Sequence, residues 1–395
     1  MRPGYGKVPL YKQNKMAEMT PFKIAIPQEV LNDLSTRLQQ TRWTDEPENA
    51  GWNYGTNPAY LRELVDHWQN KYDWRAQEAA LNKFPQFKTT IDGITVHFIY
   101  VKGKSENAKP LILTHGWPDS FYRFHKVIPM LTDPASYGGD AAQAFDLVIP
   151  SIPGFGFSDK VPQSSDKTAS LWAKLMTEVL GYQSFFAAGG DIGSTISKSL
   201  ANQYPSLVTA IHITDVGYPN GREDWATMSA PEQEFGSFIQ QWFFAEGAFN
   251  LIQATKPQTL GYGLNDSPVG LASWIVEKFH GWSGKPDNLD DHFTKDELIT
   301  NIMIYWVTQT INTTVRTYAE ESRAAWTTGL KSDAKVEVPT GVSLFPGEAP
   351  FPIEWVNRKV NAQRFNIIEK GSHFAALDVP DVFAKELRDF FYSRS

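Results

Sequence analysis

Apolar residues recur along this chain in two rhythms, and the change between them divides it. In "PQEVLNDLSTRLQQTRW", Val30, Leu31, Leu34 and Leu38 fall three or four positions apart, the spacing of one helix face. "TTIDGITVHFIYVKG" alternates instead, which predicts a β-hairpin turning at Asp92-Gly93. From Leu111 the pattern becomes "LILTHG", "FDLVIPSIPG", "FFAAGGD" and "VTAIHITDV", short continuous apolar runs separated by helix-length stretches. Such runs suit parallel strands buried on both faces. "LWAKLMTEVLGYQ" between two of them reads as an amphipathic crossover helix, and the alternation predicts a doubly wound α/β sheet.

The alternation stops near Gly221. The next hundred or so residues read as mainly helical, with a capping box at Thr294 and Glu297 opening "TKDELITNIMIYW". Two more strand-like runs, "KVEVPTGVSLF" and "RFNIIEKGSH", and a last helix, "DVFAKELRDFFYS", complete the chain. This predicts a meander over 1–95, a discontinuous α/β core over 96–219 and 336–395, and a helical cap over 220–335. A helical insertion there would form a lid over the strand ends, where ligands of such sheets bind.

Composition narrows the class. The chain has 395 residues, 42% hydrophobic and 21% charged, with a net charge of −7 and no basic stripe, so nucleic acid is not an expected partner. It has no cysteine, which excludes disulfides, thiolate metal sites and a cysteine nucleophile. No apolar run is long enough for a transmembrane anchor. The first fifteen residues lack the apolar core of a signal peptide and read as an extension before a start at Met16. A soluble, cytoplasmic enzyme with no metal and no cofactor is the expectation, and homo-oligomerisation is left open.

The chemistry starts from "GGDIG". Many hydrolases place a serine in a G-x-S-x-G turn between strand and helix; here Asp191 stands at that position, with Gly189 and Gly193 flanking it. Alone, the aspartate reads equally well as a helix N-cap. The remainder of the chain supplies partners in the required order. "EKGSHFAAL" puts His373 just after a strand, on a loop that Gly371 and Ser372 allow to turn tightly, and "VSLFPGEAP" puts Glu348 just after the preceding strand. Asp215, after "AIHIT", and Glu354 are rivals for the acid, with Glu348 favoured by its place before the histidine loop. His97 and His212 lie within strands and read as packed or hydrogen-bonded. "THGWPDS" offers the backbone N–H of Trp117, and the turn after Asp191 that of Ile192, as an oxyanion pair. A carboxylate nucleophile is already ionised near neutrality. It forms an ester that histidine-activated water can cleave, so saturated carbons bearing a leaving group, epoxides or alkyl halides, are its natural targets.

At these residues the chain resembles the epoxide hydrolases of the α/β-hydrolase fold, in their microsomal-type branch. "HGWPDS", "PSIPGFGFSD", "GGDIGS", "TKPQTLGYGLNDSPVGLASWIVEKF", "FPGE" and "GSHFAAL" carry the resemblance, from about Pro21 onward. It implies Asp191 as nucleophile, His373 as base, Glu348 as orienting acid, and a small apolar epoxide and water as substrates. The family also uses two cap tyrosines on the epoxide oxygen. One matches Tyr318; the other position, aligned through "EGAFNLIQATKP", holds Phe249, with Tyr262 nearby in sequence. Trp117 and Phe249 are the expected pocket residues. A dehalogenase with the same ester chemistry, and a binding protein that has lost turnover, are the competing readings.

Overall fold

The computed structural model of the chain describes residues 18–221 and 223–393; the extension assigned to residues 1–15 and the start at Met16 lie outside them. Three helices come first, α1 (Gln28–Gln39), α2 (Pro58–Asn70) and α3 (Trp74–Leu81). On α1, Leu34 and Leu38 are buried and Val30 and Leu31 half-buried, so the helical spacing faces inward as expected. Asn57 starts α2 by accepting the Ala59 N–H at 2.9 Å, ahead of Pro58 in the first turn.

Among the described residues nine strands form one sheet: β1 (Thr20–Phe22), β2 (Gln86–Ile91), β3 (Ile94–Val101), β4 (Lys109–Thr114), β5 (Phe145–Pro150), β6 (Phe185–Gly189), β7 (Val208–Ile213), β8 (Val336–Leu344) and β9 (Val360–Ile367). Their spatial order is β1-β2-β3-β5-β4-β6-β7-β8-β9. The β2–β3 hairpin turns at Asp92 and Gly93, both at positive φ, as a two-residue turn requires. From β5 to β9 all neighbours are parallel. Every residue of β5 and β6 is buried, because helices cover both faces. α5 (Ser165–Lys174) and α6 (Ile192–Gln203) cover one; α4 (Val127–Thr132) and α15 (Pro380–Tyr392) cover the other. The crossover helix read in the sequence is α5, prolonged by one wider π-helical turn over Leu175–Val179.

The parallel register positions the site. Thr114 pairs with Gly189, Gly189 with Ile213, and Ile213 with Val342. The loops leaving β4, β6, β7 and β8 therefore emerge at one level of one edge. Between β7 and β8 the chain forms α7 (Ala230–Glu246), α8 (Ala248–Thr255), α9 (Pro257–Asp266), α10 (Pro268–Gly281), α11 (Lys295–Thr308) and α12 (Ile311–Thr327). The capping box at Thr294 and Glu297 opens α11 as expected. The N-terminal helices grip this insertion: His67 meets Asp296 at 2.7 Å, Tyr60 donates to Asp290 at 2.8 Å, and Arg37 reaches Asp266 at 2.8 Å. Among the described residues no helix is long and apolar enough to cross a membrane.

Candidate active site

Asp191 lies in the two-residue turn between β6 and α6, at φ +56° and ψ −130°. Such a backbone costs a non-glycine residue on the order of 1–3 kcal/mol, so its surroundings must hold it. They do so by close approach. A methyl on Gly189 would lie 2.5 Å from the Gly193 carbonyl, and one on Gly193 would lie 2.0 Å from the Thr114 carbonyl oxygen. A methyl on Gly116 would lie 2.2 Å from Asp191 Oδ1. That glycine lets the Trp117 N–H donate to Oδ1 at 2.9 Å. Burial lifts the Asp191 pKa to about 6, against the downward pull of His373 and of the Trp117 and Ile192 N–H groups.

The other carboxylate oxygen, Oδ2, faces His373 Nε2 at 3.8 Å. The Nδ1 of that ring lies 3.0 Å from Glu348 Oε1. Burial alone would lower the His373 pKa, but Glu348 and Asp191 together outweigh it and the net direction is up. Nε2 is buried and has no hydrogen-bond partner among the described residues, which leaves it open toward the cavity and Asp191. The histidine loop is braced twice. Its N–H donates to the Trp282 carbonyl at 3.1 Å, and its carbonyl accepts from the buried Arg123, which also pairs with Asp119. Asp119 in turn accepts the Gly116 N–H at 2.9 Å, so one ion pair ties the Trp117 turn to the His373 loop.

The two rival acids sit elsewhere. Asp215 lines the same cavity but accepts the Gly217 N–H at 2.7 Å, beside Tyr218, with Lys198 behind it. Burial and the nearby Glu348 raise its pKa. Glu354 is exposed at the start of α13 (Ile353–Lys359). The strand histidines are hydrogen-bonded in the core: His97 to Ser151 and Gln86, each at 2.9 Å, and His212 to Ser343 at 3.1 Å.

A cavity of about 220 Å³ opens over Asp191 and His373. Its upper wall is aromatic. Phe249, Trp282 and Tyr318 line it, whereas Trp117, also expected as a pocket residue, is fully buried and is not among the lining residues. Phe249 lies parallel to the Trp117 ring with centroids 5.7 Å apart, and Tyr318 stands edge-on to both, at 5.9 Å from Trp117 and 6.2 Å from Phe249. Tyr262 is 73% exposed on α9 and is not among the cavity's lining residues. Sequence reasoning missed Tyr218, Trp282 and the Asp119–Arg123 pair. The last has a local signal, an acid and a base four residues apart directly after "HGWP"; Tyr218 has one in its place shortly after the β7 strand end; Trp282 has none, since long-range folding brings it in.

Comparison with known proteins gives this arrangement a family. The model described as "Epoxide hydrolase N terminus" matches residues 19–124, and "alpha/beta hydrolase fold" matches 109–261. A protein named putative epoxide hydrolase from Stigmatella aurantiaca is 41% identical over 94% of this chain and 84% of its own length. Epoxide hydrolase 1 of Sus scrofa is 37% identical over 94% and 88%. The crystal structure of juvenile hormone epoxide hydrolase from Bombyx mori superposes with a TM-score of 0.82 at 30% identity, covering 97% of this chain and 95% of that one. Fold and relatives agree, and the chain belongs to the epoxide hydrolases of the α/β-hydrolase fold.

Proposed function

We propose that the chain converts an apolar epoxide to a vicinal diol in two half-reactions centred on Asp191. Oδ2 attacks an epoxide carbon, the carbon–oxygen bond breaks, and Tyr318 gives its proton to the departing oxygen. His373, oriented by Glu348, then takes a proton from water, and the resulting hydroxide attacks the ester carbon. The carbonyl oxygen of that ester is Oδ1. Its negative charge in the tetrahedral intermediate falls where the Trp117 and Ile192 N–H groups already converge, the arrangement that stabilises such charge most. The residues 220–335 act as a cap whose aromatic wall excludes water and favours an apolar substrate.

The observation that carries this reading is the alignment of Glu348, His373 and Asp191, at 3.0 and 3.8 Å, with the two Asp191 oxygens in different surroundings. The apolar side chain of Ile192, which offers no donor for a departing halide, weighs against a dehalogenase. The test is His373→Gln mixed with styrene oxide. Intact mass should rise by one substrate, and the adduct should map to the peptide containing Asp191. An unmodified variant that still yields diol removes Asp191 from the mechanism.

A further inference from the structure

Gln253 lies one helical turn beyond Phe249 on α8, and neither half-reaction above uses it. Its side chain is 0% exposed. Its Oε1 accepts from Trp274 Nε1–H of α10 at 3.1 Å. An indole N–H can only donate, so this contact fixes which end of the amide is oxygen. The other end, Nε2, is buried with no hydrogen-bond partner among the described residues. Leaving such a donor unmade costs about 1–3 kcal/mol. The helix α8 packs along α12, which carries Tyr318. Burial and the Asp191 and Asp119 carboxylates push the Tyr318 hydroxyl upward in pKa, and the Gln253 side chain is what pulls it down.

We propose that Gln253 is a positioning residue for Tyr318: its Nε2–H group, without a hydrogen bond in the resting site, closes on the phenolic oxygen and takes up the charge left there when the epoxide is protonated. This rests on the reading of Tyr318 as the proton donor. As Oδ2 bonds to carbon, the electron pair of the broken carbon–oxygen bond goes to the epoxide oxygen, which takes the phenolic proton. Tyr318 is then a phenolate within reach of the negative charge of the buried Asp119. The buried amide, unpartnered beforehand, gains an anionic acceptor, and hydrogen bonds to charged groups are the stronger kind. The proton taken from water by His373 in the second half-reaction restores the phenol, so the cycle balances. With Phe249 offering no hydroxyl, the amide supports the lone phenol from behind.

Single-turnover kinetics with styrene oxide test this on Gln253→Leu, Gln253→Glu and Trp274→Phe. Gln253→Leu should slow alkylation about tenfold, a modest fraction of a full oxyanion donor, and leave ester hydrolysis unchanged. Gln253→Glu, the same shape with a carboxylate that competes for the phenolic proton, should be slower still. Trp274→Phe, which frees the amide to turn over, should fall between wild type and Gln253→Leu. In a Tyr318→Phe background the Gln253→Leu loss should vanish. Equal losses in both half-reactions, a Gln253→Glu variant as fast as wild type, or a Gln253→Leu loss that persists without Tyr318 would each overturn the proposal. The two readings separate cleanly. If Tyr318→Phe alkylates at the wild-type rate, the role of Tyr318 falls. If Tyr318→Phe is slow while Gln253→Leu is normal, only the role of Gln253 falls.

Discussion

Phe249→Tyr tests how much the missing hydroxyl matters. The Phe249 ring is 6% exposed, lies parallel to Trp117, and shares the cavity with Tyr318 at a centroid distance of 6.2 Å. Two rings that close, lining one cavity, can both aim a para hydroxyl at a single epoxide oxygen. A lone oxyanion donor is worth about 10²–10³ in rate. On the proposed chemistry Tyr318 supplies one, so a second should add about tenfold, or about 1.4 kcal/mol. Lys278 Nζ sits 4.6 Å over this ring and would favour proton donation from it, with Glu277 beside the lysine moderating the effect. Quenching of tryptophan fluorescence in single turnovers would follow both half-reactions, because Trp117 and Trp282 flank the site. Alkylation should accelerate and ester hydrolysis should barely change. Unchanged or slower alkylation in a folded variant would refute the claim that position 249 faces the opening oxygen.

Glu348→Gln should slow ester hydrolysis with little effect on alkylation, while Asp215→Asn should retain turnover; the reverse result would move the orienting acid to Asp215. Alkylation should fall as pH drops through about 6, where Asp191 takes up its proton. The acid limb of ester hydrolysis, which reports neutral His373, should lie lower than the His373 titration in the free enzyme, because esterification removes the Asp191 charge that helps raise it; stopped-flow rates across pH, beside an NMR titration of the imidazole, check both. Gly347→Ala should lower thermal stability by roughly 1–3 kcal/mol from its φ of +84° alone, and should cost hydrolysis as well, since the added methyl would meet the Trp282 carbonyl at 2.1 Å and displace the neighbouring Glu348.

What could be read from sequence was whatever strand ends determine. Asp191, His373 and Glu348 each follow an apolar run, and parallel register brings runs of that kind out at one edge, so order along the chain translated into proximity. Gly189 and Gly193 were legible because a tight strand–helix turn leaves no room for side chains. The order of β3, β5 and β4 was not, since apolar runs do not say which strand lies beside which. Gln253 was hidden for a related reason: its meaning depends on Trp274 and Tyr318, which reach it from two other helices. Asp215 stayed a rival to Glu348 because both end strands, although Glu348 was favoured by its place before the histidine loop. What separates them is a side-chain approach to Nδ1 that no spacing in the sequence records.

The unequal surroundings of the two Asp191 oxygens have an isotopic consequence. On the proposed chemistry the first diol formed in oxygen-18 water carries an oxygen from the protein, and the solvent atom stays behind in the carboxylate. Carboxylates ordinarily swap their two oxygens by rotating about a soft, two-fold torsion. With Oδ1 tethered to the Trp117 N–H at 2.9 Å, the incoming atom keeps the attacking position, and the second diol from each molecule should be almost fully labelled. A freely rotating carboxylate would label only about half of those second diols and approach full labelling gradually. The label count per turnover thus measures how firmly one hydrogen bond holds its oxygen through a complete catalytic cycle.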